Sequence, residues 1–179
     1  MAKLNTHALR LHTAIANVVT PAEAERFIET HPLSASADVS KKARWACEIC
    51  ESLGKHFGAD TAAAIRRECR CGDGRTMAQE IAACISKGGN FSQGCTLFSQ
   101  KNKCAFLEYV SESEVIFGYH SCVCSCIKRS GDPIPALWCE CSAGYVRTMF
   151  SHVFGESVAV TLLSTAMSGA TRCAFRVQW

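Results

Sequence analysis

The sequence lacks a long apolar run. No stretch approaches the ~18–20 apolar residues that a helix needs to span a bilayer, so no membrane partner is expected. The N-terminus, Met1-Ala2-Lys3-Leu4-Asn5-Thr6-His7, lacks the apolar centre of a signal peptide, which predicts a cytoplasmic protein. Charge of one sign is also missing. The net charge is +3 over 179 residues, and no basic stripe with interleaved aromatics is present, so nucleic acid is not expected as a partner. There is no repeat, low-complexity run or long linker. His-Glu-x-x-His, Gly-x-Ser-x-Gly and a phosphate loop are all absent, so the most recognisable hydrolase and nucleotide signatures are missing.

What the chain does have is cysteine. There are 13, and 12 of them lie between Cys47 and Cys141. An odd number cannot all pair within one chain. In a reducing compartment, clustered cysteines are more often metal ligands or redox groups than disulfides. Any single cysteine can instead be a small core hydrophobe.

Apolar residues make up 48% and charged residues 20%, the balance of a globular protein. The length fits a single domain over 1–179, with a mainly helical half (1–100) and a sheet half carrying a cysteine-rich loop (101–179). Thr6 to Val19 has helical spacing. Thr20-Pro21-Ala22-Glu23 starts a second helix: Thr20 can cap, Pro21 suits the first turn and Glu23 completes a capping box. His31 to Ser34 is a break. A long helix is predicted from Val39 to Phe57, with Ala43, Cys47, Cys50, Leu53 and Phe57 sharing a face and Gly58 at its end. Asp60 is expected to cap a short helix that runs past Arg67 into the turn-forming loop Cys69 to Gly74. Thr76 is expected to cap a helix reaching Ser86.

The pattern then changes. Cys104 to Val110 and Glu114 to Tyr119 read as strands joined through Ser111-Glu112-Ser113. Ser121 to Cys141 reads as a loop. Ser142 would cap a helix from Gly144 to Phe154, followed by strands Val158 to Leu163 and Cys173 to Val177. The sum predicts an α+β fold, with N-terminal helices packed on a C-terminal antiparallel sheet and one inserted helix.

Seven cysteines fall into Cys-x-Cys groups: Cys69/Cys71, Cys122/Cys124/Cys126 and Cys139/Cys141. Two thiolates one residue apart can bind one ion if the backbone turns between them, and two such pairs supply the four ligands zinc takes. Gly72 and Gly74 permit the turn, and Pro133 and Pro135 stiffen the later connection. Cys69, Cys71, Cys122, Cys124, Cys139 and Cys141 are therefore the candidate metal ligands, with Cys126 as a further candidate. The spacing matches neither zinc-finger nor ferredoxin strings, and soft thiolates suit zinc, an iron–sulfur cluster and copper(I) alike. Cys47 and Cys50 sit near mid-helix on an apolar face, where packing explains them better than redox chemistry. Cys84, Cys95 and Cys104 are isolated and read as core. His120 lies two residues before Cys122 and is either a ligand, a donor behind one, or simply hydrogen-bonded. Arg147 can face an anionic ligand or solvent.

The segment Trp138-Cys139-Glu140-Cys141-Ser142-Ala143-Gly144-Tyr145, then Phe154-Gly155, the strand Val158 to Leu163, Gly169 and Arg172-Cys173-Ala174-Phe175 carries a family pattern. It resembles the C-terminal part of 4-vinyl reductase-like small-molecule-binding domains and of L-2-amino-thiazoline-4-carboxylic acid hydrolase-like proteins. With the earlier Cys-x-Cys groups it is most similar to an uncharacterised cysteine-rich prokaryotic family related to the latter. The match covers about the last quarter of the chain. The resemblance implies a sheet backed by helices and a pocket for a small organic molecule. It also implies zinc ligation at Cys139 and Cys173 in some relatives, although the pattern's further cysteine falls on Thr165 here.

These features predict a thiolate metal-binding domain, for zinc or an iron–sulfur cluster, with a small-molecule pocket. In it, cysteines of the helical half would meet those of the sheet half. The alternatives are a hydrolase of a small cyclic amidine or amide, as the resemblance implies, and a protein that senses redox state or buffers soft metals.

Overall fold

The computed structural model describes residues 4–179; Met1–Lys3, part of the N-terminal stretch read above, lie outside them. Among the described residues no helix is long and apolar enough to cross a membrane. The fold is α+β, with helices before an antiparallel sheet as predicted. The chain forms two compact units, one of residues 1–70 and 124–141, the other of 71–123 and 142–179.

The first unit is helical. Helix α1 (Thr6–Val18) starts at Asn5, whose side chain accepts from the His7 amide. Helix α2 (Pro21–Thr30) begins as predicted: Thr20 Oγ1 accepts the Glu23 amide at 3.2 Å, and Pro21 occupies the first turn. Helix α3 (Val39–Phe57) is capped by Asp38 and ends at Gly58. It buries Ala43, Ala46, Ile49, Cys50 and Leu53, the three- and four-residue rhythm of one face. Helix α4 (Ala59–Glu68) has no side-chain cap. Gly58 takes the capping position and Asp60 lies in the first turn, where its charge complements the helix N-terminus. Residues 124–141 return to this unit through a 3-10 turn, Ala136–Cys139.

The second unit holds the sheet. Its strands β1 (Ala105–Ser111), β2 (Glu114–Tyr119), β3 (Ala159–Ser164) and β4 (Cys173–Gln178) lie in the order β1-β2-β4-β3, all antiparallel. Val115, Phe117 and Tyr119 face Val177, Phe175 and Cys173 across the ladder. This row forms the core with Leu107, Val146, Met149 and Phe150, and the Phe117 and Phe150 rings meet edge to face at 5.6 Å. Gly118 is required by close approach: a Cβ there would sit 2.1 Å from the Cys173 carbonyl oxygen and 2.4 Å from the Phe106 ring.

Several boundaries differ from the sequence expectation. Helix α5 (Arg75–Lys87) is capped by Gly74 in a left-handed conformation rather than by Thr76. A Cβ at Gly74 would lie 2.5 Å from that of Met149, so packing fixes the residue and thereby the helix start. Helix α6 (Phe91–Lys101), not anticipated, is capped by Asn90, which accepts the Gln93 amide at 2.9 Å. Helix α7 (Glu140–Phe154) continues directly from the 3-10 turn, which places Ser142 inside the helix and leaves it no capping role. Strand β3 lies at the sheet edge, where Leu163 is exposed. Cys84 and Cys95 are buried as expected, but Cys104 is exposed at the start of β1.

Candidate metal centre

Among the described residues of the first unit, one charged side chain is buried. Arg66 sits on the inner side of α4 and is 3% exposed. Its neighbour Arg67, on the solvent side, pairs with the Glu140 carboxylate at 2.8 Å. Arg66 has no such partner among the described residues. One terminal nitrogen donates to the Trp138 backbone oxygen at 2.9 Å, and the guanidinium stacks 3.8 Å from the Trp138 ring centre. Its Nε–H is buried without an acceptor, and so is the indole N–H of Trp138. Two buried, unsatisfied donors side by side in a native core call for an explanation, because each costs about 1–3 kcal/mol if left unmade.

The acidic groups that do surround Arg66 are thiols. Burial works against its charge, but Cys69, Cys141, Cys50 and Cys124, when ionised, outweigh that and hold its pKa above the ordinary guanidinium value. Burial pushes the Cys50 thiol up to about 12, with Arg66 opposing the rise and Cys47 and Cys141 adding to it. Cys126 is likewise pushed up to about 12 by burial, against the pull of Lys42 and Arg66. At neutral pH these two thiols keep their protons. Cys69 Sγ lies 3.4 Å from the Ile65 oxygen, one turn back in α4, and 3.9 Å from that of Arg10.

Of the six ligands proposed from sequence, Cys69, Cys124, Cys139 and Cys141 belong to this unit. Cys69, Cys124 and Cys141, when ionised, act on the charge of Arg66, and Arg66 acts on Cys126. Cys139 is buried in the 3-10 turn. Cys71, exposed, and Cys122, half-buried, belong to the second unit. So do two further candidates. The Cys173 sulfur accepts the Ala166 amide at 3.4 Å, next to buried Thr165. His120 is exposed, with its ring 5.3 Å from that of Phe106. Arg147 faces solvent on α7.

Sequence reasoning missed Arg66, Trp138 and Cys50. Arg66 stands on the inner face of an amphipathic helix with no acidic residue three or four positions away, but its role depends on which groups lie near it in space. Among the described residues, no three histidine, cysteine, aspartate or glutamate side chains stand close enough to hold an ion together. By charge alone, a buried cation without a carboxylate partner would suit anionic sulfur beside it.

Each unit also has a cavity. In the second, one of about 350 Å³ is lined by Glu80, Ala83, Cys84, Phe98, Lys101 and Asn102. In the first, a groove of about 390 Å³ runs past Phe27, His31, Ser52 and His56. There His31 Nδ1 faces the Phe27 oxygen at 2.9 Å, so the proton lies on Nδ1 and Nε2 accepts from Ser52 at 3.0 Å. This bond ties the end of α2 to α3.

Residues 10–178 match the family described as a family of unknown function, DUF6144. No curated protein matches the chain in sequence. Among solved structures, an H-NOX domain from Shewanella oneidensis, determined by NMR in the Fe(II)CO ligation state, aligns over 98% of each chain. The identity is 10% and the TM-score 0.46, a likeness that carries no argument.

Proposed function

The chain belongs to the DUF6144 family, and from its own residues we propose that it is a thiolate metal-binding domain whose ion is held in the first unit, around Arg66. One observation carries this reading. Arg66 is a buried guanidinium with an unsatisfied Nε–H, no carboxylate partner among the described residues, and four cysteines as its acidic neighbours. Burying a charge without a counter-charge costs several kcal/mol, and an anion beside it would turn that cost into a gain. Thiolates bound to an ion stay ionised at neutral pH and supply that anion.

Zinc and an iron–sulfur cluster are the ions first indicated by the cysteine count. Either takes four thiolates, so the loop carrying Cys124 and Cys126 would have to close on Cys50, Cys69 and Cys141. The loop's few regular hydrogen bonds, Lys128 and Ile127 amides to the Cys124 oxygen, leave room for that adjustment. A small-molecule reading would use the second unit's cavity, whose lining of Glu80, Lys101 and Lys103 beside Phe98 and Ala83 offers charges of both signs against an apolar wall.

The test is elemental analysis of the full chain purified anaerobically and in air, with thiol counting. At least one thiophilic ion per chain, lost in Cys141→Ser, is expected. No metal, together with alkylation of every cysteine in the native protein, would overturn the reading.

A further inference from the structure

The groove of the first unit is lined by no cysteine among the described residues, so what it does is independent of the metal. We propose that Ser52 and His31 form a nucleophile–base pair that hydrolyses small carboxylic esters in this groove.

The pair is built from two helices. Hydroxyls inside a helix commonly turn back to the carbonyl four residues earlier, as Thr13, Thr96 and Ser151 do here. Ser52, on α3, reaches across to the end of α2, with 3.0 Å between its Oγ and His31 Nε2. The direction of this bond is fixed. His31 Nδ1 faces two oxygens at 2.9 Å, the Phe27 carbonyl and the Thr30 hydroxyl. That hydroxyl itself donates to the Phe27 carbonyl at 3.0 Å, so it meets Nδ1 as an acceptor. The proton therefore sits on Nδ1, and Nε2 offers its lone pair to the serine. Nucleophile, general base and a third group that orients the base are all in place, with a backbone carbonyl as the third.

The base is also held still. The Phe27 ring stacks on the imidazole with 4.4 Å between centres, and the indole N–H of buried Trp45 donates to the His31 carbonyl at 3.0 Å. Ser52 and His31 are half-buried and line a groove of about 390 Å³, the size of a small-molecule site. Phe27 gives that groove an apolar wall for an acyl chain. Arg26 and Lys55, each exposed and paired with a glutamate of its own helix, line it too. They are the cations available to the negative charge that develops on the ester oxygen.

The reaction balances without any redox partner. Ser52 Oγ bonds to the ester carbon while its proton moves to His31 Nε2. The bond from that carbon to the alcohol oxygen breaks, and Nε2 returns the proton to the departing alcohol. Water then repeats the exchange on the acyl-serine: its hydroxyl goes to the carbon, its proton passes through Nε2 to Ser52, and the carboxylic acid leaves.

A fluorophosphonate probe tests the pair, because it bonds to an activated serine oxygen as fluoride departs. The full chain is labelled under reducing conditions and the adducts are mapped by peptide mass spectrometry. Ser52 should label well ahead of exposed Ser34. The adduct should vanish in Ser52→Ala and form at least about 100-fold more slowly in His31→Gln, the loss expected without a general base. Phenyl acetate should be hydrolysed by the wild type and not by Ser52→Ala. Labelling of Ser52 no faster than of Ser34 overturns the proposal, and so does an undiminished rate in folded His31→Gln. Should His31→Gln fail to fold, the comparison of Ser52 with Ser34 in the wild type decides alone. Equal turnover of phenyl acetate by wild type and Ser52→Ala also overturns it. None of these results bears on the thiolate reading, which is judged by its own metal analysis.

Discussion

Replacing Arg66 with methionine separates two jobs that a buried cation can do. In the metal-free protein the change removes a charged hydrogen bond of 2.9 Å and a stacking contact at 3.8 Å, both to Trp138. These are worth about 1.5–3 and about 1–2 kcal/mol. It also removes a charge whose desolvation costs several kcal/mol and which no carboxylate repays. The two sides are similar in size, so the metal-free variant should differ from wild type by no more than about 1–2 kcal/mol. The ion-bound protein behaves differently. Ion at 100 times Kd stabilises the folded state by about 2.7 kcal/mol, and a Kd weakened 10- to 100-fold leaves about 1.4 to 0.4 at the same concentration. At about 2–4 °C per kcal/mol for a chain of this size, the ion should raise Tm by about 5–11 °C in wild type and by half of that or less in the variant. Calorimetry with and without zinc measures both. A loss of about 3–5 kcal/mol in the metal-free variant with an undiminished ion-induced shift would refute the reasoning, since Arg66 would then be a structural strut alone.

Three other outcomes follow from the geometry. His7 is held down to about 4 by burial and by Arg10, Lys42 and Arg66. The unfolded chain therefore takes up a proton near pH 6.5 that the folded one refuses, so stability is full above that pH and falls as pH drops toward 4. The gap is about 3 kcal/mol at 1.36 per pH unit, or roughly 1–2 for this half-buried ring, and His7→Asn should flatten denaturation midpoints measured over that range. Alkylation at pH 8 read by mass spectrometry should label exposed Cys71 and Cys104 first and spare Cys50 and Cys126, raised to about 12, and Cys95, raised to about 11, until unfolding. Gly118→Ala should cost about 1–3 kcal/mol or more in urea unfolding, because its methyl has no room against the Cys173 oxygen and Phe106.

The elements that could be read from the sequence were those with a local physical signature. Thr20-Pro21 and Gly58 mark helix ends by their own local chemistry, and the apolar run of Glu114–Tyr119 after Ser111-Glu112-Ser113 marks a strand. The misses share a cause: tertiary contact overrode a local signal. Thr76 and Ser142 can both cap, but packing of Gly74 on Met149 starts α5 earlier, and the 3-10 turn at Ala136–Cys139 has already begun α7. Cys104 was read as core because an isolated cysteine usually is; it lies where β1 leaves Asn102, whose side chain accepts its amide at 3.0 Å. For the site, the Cys-x-Cys spacing drew attention to Cys69, Cys124 and Cys141, three of the four cysteines that act on Arg66. The fourth, Cys50, looked like one more apolar residue on α3. What no pattern in the chain could reveal was Arg66 itself, since its meaning depends on which charges are missing around it in space.

Arg66 and its carbonyl acceptor on Trp138 are 72 residues apart in the chain. During synthesis the first helices emerge, with the inner face of α4 already formed, long before residues 124–141 exist to cover it. The first unit is thus closed by a late return of the chain, a topology of high contact order that slows folding. Until then the guanidinium and the early cysteines stay wet and open to solvent ions. A nascent chain stalled anywhere before Trp138 would carry Cys50 and Cys69 without their cover, the stage at which stray oxidation does most harm.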